Sequence, residues 1–299
     1  MPDVLADTSF QPHYRYLRAL AYRMLGSRAE AEDVVQDAWL RWQSADRSQV
    51  ENARAFLSRT VTHLCLDRLQ SARLRREQYV GVWLPEPLVD EAMDFHPGPD
   101  VATEHAQDVS IAFMLALERL STLERAAFLL HDVFDLDFDE IGRRLQRSPA
   151  AVRQLASRAR QHVKTDYARR EVQAEEGARL LQAFGTALAR GDVEELAKLL
   201  VEDAEFLSDG GGLVAAVPRP LQGAERVAKA LVGFAKLVDW SRVRFRSVDI
   251  NGLHGWLLHD VDGTPIQTLA LRPGPDGRVA DIYIMRNPQK LQHLRQPPE

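Results

Sequence analysis

Two all-α modules followed by an α+β unit make up the fold class this 299-residue sequence predicts. Three observations predict it. Apolar residues recur at helical spacing through 10–78 and again from about 108 to 170. Prolines 85, 87, 97 and 99, with Gly81 and Gly98, interrupt that pattern between the two blocks. After about residue 175, strand-like runs alternate with turn dipeptides. The expected boundaries are 8–79 for the first module, 80–107 for the linker, 108–170 for the second module and 175–299 for the last unit.

In the first module "YRYLRALAYRMLGS" carries Tyr16, Leu17, Leu20, Ala21, Met24 and Leu25 on one helical face, and Gly26 ends it. "SRAEAEDVVQDAWLRWQ" follows, with Ser27 as N-cap and acids in the first turns, where the helix dipole favours them. "NARAFLSRTVTHLCLDRLQSARLRRE" is a third long helix with Phe56, Leu57, Val61, Leu64, Cys65 and Leu69 along one side. The last unit opens with helices "GARLLQAFGTALARG" and "VEELAKLL", then strand-like "DAEFLSD", a glycine loop and strand-like "LVAAV". A helix "GAERVAKALVGFAKLV" precedes three extended runs. Their turns, Asn251-Gly252, Asp262-Gly263 and Asp276-Gly277, are strong hairpin signals. The pattern suits a curved antiparallel sheet wrapped on helices.

Composition is that of an ordinary globular protein, 45% hydrophobic and 27% charged. No apolar run is long enough to span a bilayer, the N-terminus lacks a signal-peptide pattern, and the one cysteine, Cys65, excludes an intrachain disulfide. A cytoplasmic location without membrane attachment is the expectation. Net charge is −5, yet basic residues are concentrated. Residues 54–76 hold six arginines against Asp67, and 139–166 hold six arginines and Lys164 against three acids. Two cationic segments in an acidic chain are either two nucleic-acid footprints or two solvated helix faces.

The stretch "FDEIGRRLQRSPAAVRQLASRARQHV", 138–163, favours the first reading over an arginine-rich surface helix of an α-hairpin. Phe138, Ile141 and Leu145 form one face of a first helix. A short turn, Gln146-Arg147-Ser148, leads to Pro149, a residue that starts helices well. Val152, Leu155, Ala159 and Val163 then make an inward stripe, leaving Arg153, Gln154, Ser157, Arg158, Arg160 and Lys164 outside. A helix with that outer face suits a major groove, where arginine pairs bidentately with guanine and other cations meet phosphates.

"AEAEDVVQDAWLRW", "ARAFLSRTVTHLCLDRL" and "DEIGRRLQRSPAAVRQLASRAR", in that order, resemble a bacterial extracytoplasmic-function sigma factor over about 10–166. "WLPEP" (83–87), "DGGG" (209–212) and "NPQKL" (287–291) add a narrower resemblance to the sigma-J-like group, whose two all-α domains, sigma-2 and the sigma-4 helix-turn-helix, carry a C-terminal α+β, cone-shaped SnoaL-like extension. Leu213 stands where that group often has a basic residue, and Gln289 where it often has an acid. The resemblance implies core RNA polymerase and double-stranded promoter DNA as partners, no cofactor, no metal and no catalysis by the chain itself. It implies that Glu32, Asp33, Gln36 and Asp37 dock on the polymerase, and that Arg59, Thr60, His63, Arg68 and Arg73 contact the −10 element. Arg153, Gln154, Ser157 and Arg158 would read the −35 element, with Arg143 and Arg144 on phosphates.

The glycine loop invites a phosphate-cradle reading, but no GK[ST] and no helix N-terminus follow it. A plain flexible turn is one reading of it; the resemblance implies another, a regulatory contact between domains. It would join Asp209, Gly210, Gly211, Gly212, Asn287 and Pro288 to the linker residues Trp83, Leu84, Pro85, Glu86 and Pro87, acting in cis so that no separate anti-sigma protein is required. SnoaL-like folds also include pocket isomerases. An enzyme or small-ligand sensor using Asp209, Asp249, His254, His259 or Asp281 is therefore the alternative. A simple operator-binding regulator is a third reading, but it leaves the acidic docking helix unexplained.

Overall fold

The computed structural model describes residues 7–77, 79–99, 101–103, 105–166 and 174–295, with the side chains of 71–77, 165–166 and 174–175 left aside. The chain forms two compact units, one of residues 1–78 and 91–168, the other of 79–90 and 169–299. The interruption expected as one linker over 80–107 is thus split between them at Asp90 and Glu91.

The helical unit contains α1 (Gln11–Leu25), α2 (Arg28–Ser44), α3 (Ala53–Glu77), α4 (Ile111–Glu118), α5 (Thr122–Phe128), α6 (Phe138–Leu145) and α7 (Pro149–Asp166). Gly26 takes φ 67°, and its N–H donates to the Tyr22 carbonyl, which closes α1. Ser27 accepts from Glu30 N at 3.2 Å and starts α2. Leu17, Leu20 and Tyr22 of α1, Val34 and Trp42 of α2, and Leu57, Val61 and Cys65 of α3 are buried. Burial removes each large apolar side chain from water at about 1.5–3 kcal/mol apiece.

In the other unit, α8 (Ala174–Arg190) and α9 (Val193–Lys198) precede β1 (Leu200–Asp209) and β2 (Leu221–Gln222). After α10 (Ala224–Ala235) come β3 (Val243–Ile250), β4 (Leu253–Asp260), β5 (Pro265–Pro273), β6 (Val279–Met285) and α11 (Pro288–Leu291). The sheet runs β2-β1-β6-β5-β4-β3, with β1 and β6 parallel and the other neighbours antiparallel. Leu181 and Phe184 of α8 and Val227 and Leu231 of α10 share a core with Phe206, Leu269, Leu271, Ile282 and Ile284. Strand alternation places Asp281, Tyr283 and Met285 on the opposite face of β6. Asn251 and Gly252 take φ 54° and 80°, the two-residue hairpin expected from their identity. "LVAAV", expected as a strand, is not one: 213–217 is turn and coil, and the short β2 follows it at 221. A leucine and two valines in a loop reflect the pull of the preceding glycine turn, where Leu213 N and Val214 N both donate to the Gly210 carbonyl.

Candidate nucleic-acid interface and linker clamp

The helix-turn-helix is built from local signals. Asp137 caps α6 by accepting from Glu140 N at 2.7 Å, and Ser148 caps α7 by accepting from Ala151 N at 3.2 Å. Gln146 makes the turn at φ 54°. A Cβ on Gly142 would lie 2.7 Å from the Arg147 carbonyl oxygen, so only glycine admits so tight a return of the backbone. Val152, Ala156, Ala159 and Val163 are buried and Leu155 is half-buried, which leaves Arg153, Gln154, Ser157 and Arg158 on the exposed side. The Arg153 guanidinium sits 5.3 Å from the Phe138 ring centroid. Arg158 Nε donates to Glu124 Oε1 at 3.0 Å, and Arg160 Nε to Asp132 Oδ1 at 2.6 Å.

Arg143 is exposed, but Arg144, expected on a phosphate, is only 4% exposed. It pairs with Glu140 one turn back, because α6 turns this side inward toward α3. There His63 Nε2–H donates to the Arg144 carbonyl at 2.7 Å. The helix expected to read the −10 element therefore touches the helix-turn-helix directly. Arg59 is exposed, while the Thr60 hydroxyl is occupied inside α3, donating to the Phe56 carbonyl at 2.9 Å. The Arg73 side chain lies outside the described residues. Arg68 donates to Asp37 Oδ2 at 3.0 Å and lies 3.7 Å from Asp33, so it bonds two of the acids expected to dock on the polymerase. Glu32 pairs with Arg28 at 3.2 Å, and Gln36 is exposed.

Two buried arginines that sequence reasoning passed over hold the helical unit together. Arg23, fully buried, donates to the carbonyls of Ala19, Phe95, Ala106 and Asp108 at 2.7–3.2 Å, tying the segment 95–108 onto α1. Arg125 donates to the carbonyls of Met24 and Leu117 and to Glu118. Burial pulls both guanidinium groups down to about 10. The signal for Arg23 was available in the sequence, since it falls between Tyr22 and Met24 on a helix with apolar neighbours.

In the other unit, the three short motifs meet. Asp209, with no exposed surface, ends β1 and gathers four donors. Tyr79 Oη–H reaches Oδ1 at 2.5 Å and Gly211 N reaches it at 2.9 Å. Leu84 N and Lys290 Nζ reach Oδ2 at 2.9 and 2.8 Å. Lys290 Nζ also donates to the Leu84 carbonyl at 2.5 Å, and it sits 4.5 Å from the Trp83 ring centroid and 5.1 Å from that of Tyr79. Asn287 Nδ2 donates to Tyr79 Oη at 2.9 Å, while its Oδ1 accepts from Gln289 N, with Pro288 at the first position of α11. Burial, then the bond to Asp209, pushes the Tyr79 phenol well above its ordinary range.

Leu84, Pro85, Glu86 and Pro87 are buried and Trp83 is half-buried. His293 Nε2–H donates to the Pro87 carbonyl at 3.1 Å, and Nδ1 lies 3.3 Å from Glu86. Asn251 Oδ1 accepts from Leu88 N at 2.9 Å, and Asn251 N donates to the Leu88 carbonyl at 2.9 Å. Gly211, at φ 63°, leaves no room for a side chain, since a Cβ there would fall 2.3 Å from Asn287 Nδ2. Gly210 is buried, and Gly212 borders Val80. Tyr79, Lys290 and His293 belong to this clamp without having been singled out, and Asn251 was expected only as a hairpin residue. Lys290 alone stood inside a quoted motif.

The residues proposed for an enzyme are each engaged. Asp281 accepts from Tyr283 at 2.8 Å and pairs with Arg272. His259 Nε2–H donates to the Leu294 carbonyl at 3.0 Å, and Asp249 accepts from Gly252 N at 2.8 Å while burial raises its carboxyl. His254 packs over Gly177. Among the described residues no cluster has the make-up of a metal site, and no helix is long and apolar enough to cross a membrane.

Comparison with known proteins fits this geometry. Residues 10–75 match Sigma-70 region 2 and residues 110–163 match Sigma-70, region 4, which together contain α1–α3 and α4–α7 apart from the helix ends. A relative from Mycobacterium tuberculosis H37Rv, ECF RNA polymerase sigma factor SigJ, is 39% identical over 95% of this chain and 92% of its own length. The chain belongs to the extracytoplasmic-function sigma factors. The crystal structure of the M. tuberculosis SigJ matches with a TM-score of 0.73 at 32% identity, covering 97% of this chain and 99% of that one. The probable ECF sigma factor SigI of M. tuberculosis is 31% identical over 65% of the chain and 66% of its own length. This sigma factor accordingly pairs two helical sigma regions with an α+β C-terminal unit.

Proposed function

We propose that this alternative sigma factor takes core RNA polymerase to promoters through α2, reads the −35 element with α7, and opens the −10 element with α3. Its C-terminal unit regulates initiation in cis. The observation that carries the proposal is the clamp of Asp209, Asn287 and Lys290 on segment 79–90: a stretch of chain between the two sigma regions is bound by the C-terminal unit. Whatever moves that unit moves the tether between the two DNA-reading modules.

The helical unit supports a closed resting state. The −10 and −35 elements are separated by about 25 base pairs, or roughly 85 Å at 3.4 Å per step. In this sigma factor α3 is hydrogen-bonded to α6, the helix immediately before α7. The modules must part before both elements are engaged. Arg158 and Arg68 are held by Glu124 and by Asp33 and Asp37 in the meantime, so their carboxylates must be exchanged for DNA phosphates or bases. Regulation by an attached domain removes the need for a separate anti-sigma protein. The C-terminal unit has no catalytic part in this scheme, in keeping with candidate acids and histidines that are bonded into the framework.

Run-off transcription with core polymerase tests the reading. Core plus this sigma factor is expected to initiate from promoters that core alone ignores. Asp209→Ala is expected to change the yield while Arg158→Ala lowers it. Failure of core to initiate with either the intact chain or Asp209→Ala would overturn the assignment of these roles.

A further inference from the structure

The outer edge of the C-terminal sheet is half occupied and half open. The chain's own segment Leu88-Val89-Asp90 lies antiparallel on the far end of β3: Val89 bridges Ile250, Asp90 N donates to the Asp249 carbonyl at 2.9 Å, and Asn251 N donates to the Leu88 carbonyl. Those bonds fix which backbone groups point outward. Residues 249 and 251 face the edge, and β3 pairs with β4 from Val243 to Ile250 without a register shift. Alternation then turns the N–H and C=O of 243, 245 and 247 outward as well. Asp90 leaves the edge at φ 56°, so the pairing stops there and Val243–Ser247 continues as an uncovered track.

The track has its own chemistry. Arg244, Phe245, Arg246 and Ser247 are all exposed, Phe245 by 62%. Arg246 is paired at 2.7 Å with Asp90, the acid of the segment already seated on the edge. Arg244 meets only the carbonyls of Ser241 and Val243, and no described carboxylate pairs with it. Leu237 and Trp240, 84% and 49% exposed, lie just before the strand. A second copy of the chain is a poor fit: two-fold antiparallel pairing centred on Phe245 would set Arg244 of each copy against Arg246 of the other, and like charges directly opposed destabilise a ladder. Arginines on an edge block self-association in this way while leaving an acidic strand welcome.

We propose that Val243–Ser247 is a docking edge for an acidic, extended segment of a partner protein, which adds as a further strand and continues the line begun by Leu88–Asp90. Main-chain bonds to 245 and 247 hold it, its carboxylate meets Arg244, and an apolar side chain rests on Phe245. The intramolecular Asp90–Arg246 pair on the same edge shows the mode of recognition.

The test uses the full chain and a capped eight-residue peptide alternating Glu with Val, followed by fluorescence anisotropy and by hydrogen exchange of β3. The acidic peptide is expected to bind and to slow exchange at Phe245 and Ser247. Ser247→Pro removes an outward N–H and no bond to β4, and Arg244→Glu reverses the charge; each is expected to weaken binding roughly tenfold or more. The proposal is overturned if the same peptide with Lys for Glu binds equally, or if the acidic peptide does not bind. It is equally overturned if oligothymidylate binds with a dependence on Arg244 but not on Ser247, which would make the patch a nucleic-acid site. Should Ser247→Pro disturb folding by circular dichroism, Arg244→Glu and the Lys peptide carry the decision.

Discussion

The two halves of the segment between the sigma regions are fastened by opposite chemistries. Residues 79–90 are held by a buried carboxylate that collects donors, among them a backbone N–H of the segment and the ammonium of Lys290. Residues 91–108 are held by a buried cation, Arg23, that donates to carbonyls. The first clamp converges on the one carboxylate of Asp209, which collects residues 79, 84, 211 and 290; the second is spread over several side chains, since Arg15 also donates to the carbonyls of Met93 and His96, and Arg18 and Arg28 both pair with Glu91. A clamp shared among several partners can loosen by steps as its unit moves. One centred on a single carboxylate is either made or lost. The first half therefore hinges on one residue, Asp209, so a single substitution there tests the regulation proposed for the C-terminal unit.

The largest effect is expected from Asp209→Ala, which strands Lys290, the Tyr79 hydroxyl and two backbone N–H groups. Breaking a buried ion pair from one side costs about 3–5 kcal/mol, read as faster hydrogen exchange and proteolysis within 79–90. Unchanged protection there would break the comparison. Arg23→Met is expected to cost about 2–4 kcal/mol by leaving carbonyls without donors, with exchange rising across 95–108 and not across 79–90. Simultaneous loosening of both halves would mean they are a single cooperative clamp.

Gly211→Val comes next. The side chain would displace Asn287 and must adopt a positive φ, at a cost of about 1–3 kcal/mol, with altered promoter output but a retained global melting transition. Arg158→Ala is expected to lower −35 discrimination by about 1–3 kcal/mol while leaving the linker untouched; an equal loss on every DNA sequence would make it a phosphate contact. The smallest effect concerns pH. Burial, with Arg23 and Arg15 nearby, lowers His96 to about 4. Its unfolded form therefore binds the extra proton between 6.5 and 4, so its contribution is complete above pH 6.5 and fades as pH falls through that window. His96→Gln is expected to flatten that part of the stability profile of the helical unit; an unaltered slope would contradict it.

Much of the helical unit was legible because its signals are local. Gly26, Ser27, Ser148 and Pro149 each act within one helical turn. The exposed face of α7 follows from spacing alone, although Leu155 yields its buried place to Ala156. Arg144 was misplaced because its burial depends on α6 meeting α3, a contact between residues 81 apart in sequence. The clamp was legible as three motifs but not as a geometry. Nothing local in Asp209 or Lys290 says that they will meet around Leu84, and Tyr79 and His293 carry no pattern of their own. The split of the linker at Asp90 has the same origin, since the pairing of Val89 with Ile250 is a tertiary event. "LVAAV" failed for the opposite reason: its composition favours a strand, but the Gly210 turn claims its first N–H groups.

The most direct test of the account is the distance between α3 and α7 in the free protein and in the holoenzyme on promoter DNA. Spin labels at Gln70→Cys and His162→Cys, in a Cys65→Ser background, would report it by pulsed electron resonance. Helices packed through a single intervening helix should keep the labels within about 40 Å in the free chain, and binding to core polymerase and promoter should move them to roughly 80 Å. A long distance already present in the free protein, or a short one that persists in a transcribing complex, would contradict the closed resting state and the role given to the clamp.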